Sequence, residues 1–256
     1  MAENQYGFPT EVLSLPSKGL LYPEDSPLRS GTIDVKYMTA KEEDILTSTN
    51  LITQGVVIER LLESVIADKS IKLDDLLIGD KNALMVGTRI LGYGKDYQAM
   101  MIDPDTNQEV ETTIDLTTLD HKKIDESLFK NGNDFTYELP NSKRKVGFKL
   151  LTHKDEKEIT KILKSFEKAE ELTGVSNEVT TRLKYQIQSI DGESEQKTID
   201  NFVDNEFLAL DAREYRKFVQ SIAPDMDLRF DYTTGNGNKI KVDVPLGLDF
   251  FWPAAI

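Results

Sequence analysis

No cysteine occurs in the 256 residues, so disulfides, thiolate catalysis and cysteine-ligated zinc are excluded. Histidine is nearly absent. Only His121 and His153 occur, in no His-x-x-His or His-Glu-x-x-His spacing, and both are expected on a solvated surface. No metal ligand set is assigned. Positive charge is also in short supply: 31 lysines and arginines face 45 acidic residues, a formal net charge of −14. A surface of that sign repels phosphate backbones, so nucleic acid is not an expected partner. The longest basic run, Lys143-Arg144-Lys145, falls where a turn is expected. No apolar run reaches the roughly 18 residues of a membrane span, so no membrane partner is expected either. Residues 1–16 hold Glu3 and Glu11 and no basic start leading into an apolar stretch, which does not fit a secretory signal.

The glycines and acids that might carry chemistry fail on context. Gly92-Tyr93-Gly94 follows an expected helix and lacks a third glycine, so it is no dinucleotide loop. Gly92 reads better as the left-handed stop of that helix. Asp103, Asp105 and Asn107 alternate like the start of a calcium loop. Gln108, however, stands where glycine is needed, and Ile114 where a bidentate glutamate is needed. A plain turn is expected, with no cofactor. No nucleophile–base pattern emerges, and no catalytic residue is assigned. The chain is not expected to be an enzyme.

Hydrophobic residues at 39% and charged residues at 30% describe a globular chain. Its most informative feature is internal similarity. Val35-Lys36-Tyr37-Met38-Thr39-Ala40-Lys41-Glu42-Glu43 and Phe148-Lys149-Leu150-Leu151-Thr152-His153-Lys154-Asp155-Glu156 each read as a strand, a threonine and a charged helix start. Thr39 and Thr152 are N-cap candidates, with Glu42 and Asp155 three residues on to complete each cap.

Helices are expected over 41–49, 56–67 and 80–91, then over 156–172, 178–190 and 211–222. Val57, Leu61, Leu62, Val65 and Ile66 form one apolar face. Leu84, Met85, Thr88 and Leu91 form another, and Ile159, Ile162, Leu163 and Phe166 a third. Hairpins follow in each half, 97–102 with 110–116 and 228–232 with 239–244. The fold class is α+β, a tandem duplication of a strand–helices–β-hairpin module. An extended N-terminal arm is expected over 1–32, the modules over 33–120 and 136–256, and a connector over 121–135.

Two segments are candidates for partner binding. Prolines hold the stretch from Leu15 to Tyr22 out of helix, with Leu15, Leu20, Leu21 and Tyr22 as anchors. It either covers the chain's own apolar surface or docks on a neighbour. At the other end Phe250, Phe251 and Trp252, the one tryptophan, are either core or an exposed anchor.

Four of these stretches carry a resemblance: Leu15 to Tyr22, Met38 to Leu46, Ile90 to Tyr97 and Gly247 to Pro253. In their order the chain resembles the baseplate hub and hub-assembly proteins of T-even type contractile-tailed phages. The resemblance implies a non-catalytic tail protein whose partners are other tail and baseplate proteins, with an oligomer within the baseplate possible. It implies assembly in the host cytoplasm, and residence in the virion tail if the protein is structural. The alternative is a transient assembly chaperone for the hub or tape-measure protein. Some relatives carry a Cys-x-x-Cys knuckle in the first hairpin; Ala99 to Val110 here has none, so no zinc is carried over.

Overall fold

The computed structural model describes residues 7–246 and 250–252, with side chains throughout except at 168–173. The expected Gly247 to Pro253 motif is therefore described only at 250–252. The fold is α+β. Strand β1 (Thr10–Ser14) pairs antiparallel with β2 (Thr32–Lys36), Thr10 opposite Lys36. Helices α1 (Ala40–Leu46), α2 (Thr49–Gln54), α3 (Val57–Val65) and α4 (Ile78–Tyr93) follow. The first half closes with the hairpin β3 (Asp96–Ile102) and β4 (Glu109–Asp115).

The second half repeats this plan. Strands β5 (Phe135–Glu138) and β6 (Lys145–Phe148) pair, then α5 (His153–Thr173) and α6 (Glu178–Gln186) follow. Strand β7 (Ile187–Ile190) joins β6, and α7 (Gln196–Asn201) runs into a wide π turn at Phe202–Glu206. Helix α8 (Ala209–Ile222) and the hairpin β8 (Arg229–Thr233) with β9 (Lys239–Asp243) complete it.

Several sequence expectations are corrected. Within the span expected as an arm, the described residues are not extended throughout: Thr10–Ser14 is the sheet strand β1, and Pro27–Ser30 forms a 3-10 turn. The expected helix over 178–190 ends at Gln186, because Ile187 to Ile190 are claimed by the sheet. Phe135, assigned to the connector, begins β5. The glycine stop is Gly94, at φ +83° and ψ 175°, an extended positive-φ conformation instead of the left-handed helical one, since α4 continues through Gly92. At Gly92 it is the missing Cβ that matters: it would lie 2.4 Å from Met38 Sδ. Phe166 is exposed, not inward, whereas Ile159 is fully buried. Helix α4 is buried on more than one side, at Ala83, Val86, Gly87 and Arg89 as well as Leu84 and Thr88.

The duplication extends to matching side-chain contacts. Glu42 Oε2 accepts from the Thr39 amide at 2.9 Å and its hydroxyl at 2.7 Å, while Oε1 accepts from Lys36 Nζ at 2.7 Å. In the second half Asp155 Oδ2 accepts from the Thr152 amide at 2.9 Å and hydroxyl at 3.0 Å, and Oδ1 from Lys149 Nζ at 2.7 Å. A second acid also repeats, in the first turn of the helix before each hairpin. Asp80 accepts from Ser17 N at 2.9 Å and Ser17 Oγ at 2.6 Å; Asp211 accepts from Asn141 N at 2.8 Å and Ser142 N at 2.9 Å. Each acid pins a turn that follows Leu-Pro, Leu15-Pro16-Ser17 or Leu139-Pro140-Asn141. Thus β1 is the counterpart of β5, and the first module begins at β1 instead of residue 33.

These carboxylates set the acid response. Burial alone would raise Glu42, but Lys36, Ser64 and Thr39 outweigh it and hold the carboxyl at about 2, against 4.5 ordinarily. Asp211, likewise opposed by burial, is held at about 2 by Asn141 and Ser142, against 3.8. A depressed carboxylate contributes stability above its unfolded value, and that contribution is lost as pH falls through the folded one. Urea midpoints of the wild type are therefore expected to fall between about pH 4.5 and pH 2. Glu42→Gln should be less stable at pH 7 and lose less across this window. An unchanged pH slope in the variant would contradict the assignment.

Candidate interaction surfaces

The residues expected to meet partners lie mostly within the chain's own core. Leu15, Leu21 and Tyr22 are buried and Leu20 is half-buried against them. The Tyr22 hydroxyl donates to Asp80 Oδ2 at 2.5 Å and accepts from Leu77 N at 2.9 Å. Phe250 and Phe251 are buried and Trp252 is half-buried. Arg89 Nε donates to the Phe250 carbonyl at 2.8 Å, and the Phe250 ring meets Tyr97 edge-on at 5.0 Å. The aromatic tail of the second module is thereby fastened to α4 and β3 of the first. Of the two readings the sequence leaves open for each segment, the observed placement is the intrachain one.

The two hairpins are clasped by the very acids that resemble a calcium loop. Asp103 Oδ1 accepts from Asp105 N and Thr106 N, both at 2.9 Å. Its Oδ2 accepts from Tyr232 Oη and Gly235 N across the seam, both at 2.7 Å. Asp105 Oδ2 accepts from Asn238 Nδ2 at 2.7 Å. Burial opposes the charge on Asp103, yet the Tyr232 hydroxyl and three amides keep its carboxyl below the ordinary range. Every oxygen a cation would use on Asp103 is already engaged by a donor.

A second seam lies where α5 begins. Leu77 and Thr152 form an antiparallel bridge, with His153 N donating to the Leu76 carbonyl at 2.8 Å and Ile78 N to the Leu151 carbonyl at 3.3 Å. Beside it Lys157 Nζ lies 2.5 Å from Glu59 Oε1 and 3.0 Å from Asp74 Oδ1. Lys81 Nζ lies 3.2 Å from His153 Nδ1. Contrary to the solvated position expected for it, His153 is buried at the module seam. His121 is half-buried and bridges to Met226.

Ligand atoms of Glu59, Asp74 and His153 lie within 4.8 Å of one another. A divalent ion would need the Lys157 ammonium displaced, so the cluster fits an ion-paired seam better than a metal centre. Burial, then the Lys81 charge, push the His153 imidazole below its ordinary 6.5. An NMR titration of His153 is expected to have its midpoint below 6.5; a midpoint at or above it would mean that the seam is open to water.

The exposed large apolar side chains lie elsewhere. Phe166, Val175 and Val179 stand on and between α5 and α6, Met100 and Ile102 on the outer face of β3, and Leu208 and Leu210 at the start of α8. A cleft of about 800 Å³ beside α5 and α6 is lined by Ile162, Phe166 and Tyr185 together with Lys149, Lys184 and Asp200. Such groups suit contact with another protein surface, where aromatic and apolar side chains surrounded by polar ones are usual.

The family model described as T4 bacteriophage base plate protein matches residues 15–252. The chain belongs to that family. No curated protein and no solved structure matches it significantly. As a member of the base plate family it is a phage baseplate protein, and its interactions are with other baseplate and tail proteins. No helix among the described residues is long and apolar enough to cross a membrane. No sequence pattern marks the hairpin clasp. The repeated Leu-Pro turns and the acids at 80 and 211, by contrast, were present to be aligned.

Proposed function

We propose that this baseplate protein is a component of the central hub, acting in assembly through protein–protein contacts and without catalysis. The family match over nearly the whole chain supports the baseplate role, and the resemblance carried by Leu15 to Tyr22, Met38 to Leu46, Ile90 to Tyr97 and Gly247 to Pro253 supports the hub. A role without catalysis is supported by the ionisable cluster of Glu59, Asp74, Lys81, His153 and Lys157 being engaged within itself at the module seam. The acidic balance of the chain supports protein partners over nucleic acid.

Loss of the protein during infection is expected to leave hub subunits unassembled and to prevent complete baseplates. Particles with complete baseplates from such an infection would overturn the proposal. An assembly chaperone would give the same failure and then be missing from finished particles.

A further inference from the structure

The contact between the modules is not reciprocated. In the first module Leu76-Leu77-Ile78-Gly79-Asp80 opens α4; in the second Phe207-Leu208-Ala209-Leu210-Asp211 opens α8 at the same place in the plan. The pinned acid at the end of each run fixes the alignment. Leu76 and Leu77 are buried, because the strand end and first turn of α5, Leu151-Thr152-His153, lie against them. Of their counterparts, Phe207 is half-buried against Phe202 and Tyr215 but Leu208 is not covered, and neither is Leu210, which stands at the place of Gly79. Leu208 is 51% exposed and Leu210 is 63% exposed.

The other half of the contact is exposed as well at three of its four residues. Tyr37-Met38-Thr39-Ala40 corresponds to Leu150-Leu151-Thr152-His153, aligned by the shared Lys, Thr and acid contacts. Tyr37 is 41% exposed, and Thr39 and Ala40 are exposed, whereas Leu150 and His153 are buried. An isologous pairing of two modules would have used both halves twice. This one is heterologous, and a heterologous contact leaves one unfilled half at each end.

The geometry points to a second copy of this chain as the occupant: its first-module edge, Tyr37 to Ala40, docks on the start of α8, continuing head to tail the contact already made inside the chain. At the positions that match the internal ion pairs, no like charges face each other. Where the internal seam sets Lys157 against Glu59 and Asp74, the corresponding residues are Asp44 against Thr180 and Asn205, with no like-charged pair. One position differs. A Cβ on Gly79 would lie 1.9 Å from the Pro224 carbonyl, so the second module approaches there without a side chain between. Leu210 at the matching place forbids so close an approach and offers an apolar side chain instead. Successive head-to-tail contacts close into a ring or extend, according to the rotation between copies.

The inference does not rest on the hub reading, since self-association is read in solution on the purified full chain. Sedimentation velocity over a concentration series is expected to show reversible association of the wild type. Leu208→Glu blocks one half and Ala40→Glu the other, each expected to weaken association at least about tenfold. Both positions are exposed, and a glutamate in the first turn of α1 favours the helix, so unchanged melting curves will show that folding is intact. Mixing the two variants leaves one compatible pair of halves and is expected to give heterodimers that grow no further. A wild type that is monomeric throughout, or a mixture that stays monomeric, would overturn the proposal. Capture of α8 by a different tail protein, with no self-association, would overturn it too.

Discussion

Gly79→Ala is expected to lower the stability of the chain by about 2 kcal/mol and to loosen the seam between its modules. Helix propensity alone favours alanine over glycine by about 1 kcal/mol. Against that, the added Cβ would lie 1.9 Å from the Pro224 carbonyl oxygen and 2.7 Å from the Asp225 Cα. Both are backbone atoms, so no rotamer change relieves the clash, and overpacking of this kind costs about 3 kcal/mol. The clash decides the sign. Equilibrium denaturation gives the loss, and hydrogen exchange should rise at Lys122 and Asp227, whose amides bond to Asp225 and Asp120 across the same seam. Leu210→Ala, at the matching but exposed place in the second module, is expected to change monomer stability by no more than about 0.5 kcal/mol. Equal tolerance at both positions would mean that the modules do not pack as described.

Asp80→Ala should be at least as damaging, at about 3 kcal/mol. The carboxylate accepts from Ser17 N, Ser17 Oγ and Tyr22 Oη, all buried, and its removal strands donors that water cannot reach. Tyr22 would lose its acceptor while still bound by Leu77 N, so the damage reaches the turn that starts α4. Burial pushes the Asp80 carboxyl up, against the donors that favour its charged form. Tyr22→Phe removes only one of these bonds and is expected to cost about 1 kcal/mol. A double-mutant cycle should show strong coupling between the two positions. Independent, additive losses would mean that the Leu-Pro turn is not held through this acid.

What the sequence disclosed and withheld follows physical lines. The α3 face of Val57, Leu61, Leu62 and Val65 was legible because a helix buried on one side repeats its apolar residues at its own period. Both hairpins were legible from alternation and turn residues. Helix α4 was legible as a helix but not in its packing: with β1, Met38 and the tail around it, no single stripe marks its buried side. Strand β7 was misread as helix because Ile187 to Ile190 continue α6 without a glycine or proline, and only the partner β6 ends it.

The arm was misread because prolines near residues 16 to 27 obscure a strand of five residues before them. Among the candidate contacts, residue type alone could not separate a core aromatic from an exposed one. Phe250 is buried by Tyr97 and Arg89, which lie far away in the sequence. The start of α8 was not singled out, because residue type alone does not tell that Leu208 and Leu210 are exposed while Leu77, the counterpart of Leu208, is buried.

The most direct test of the account is quantitative mass spectrometry of gradient-purified virions beside infected-cell lysate. The protein is expected in virions at a fixed ratio to a known baseplate subunit, from which its copy number follows. Abundance in lysate with absence from virions would contradict a structural hub component and identify an assembly factor instead.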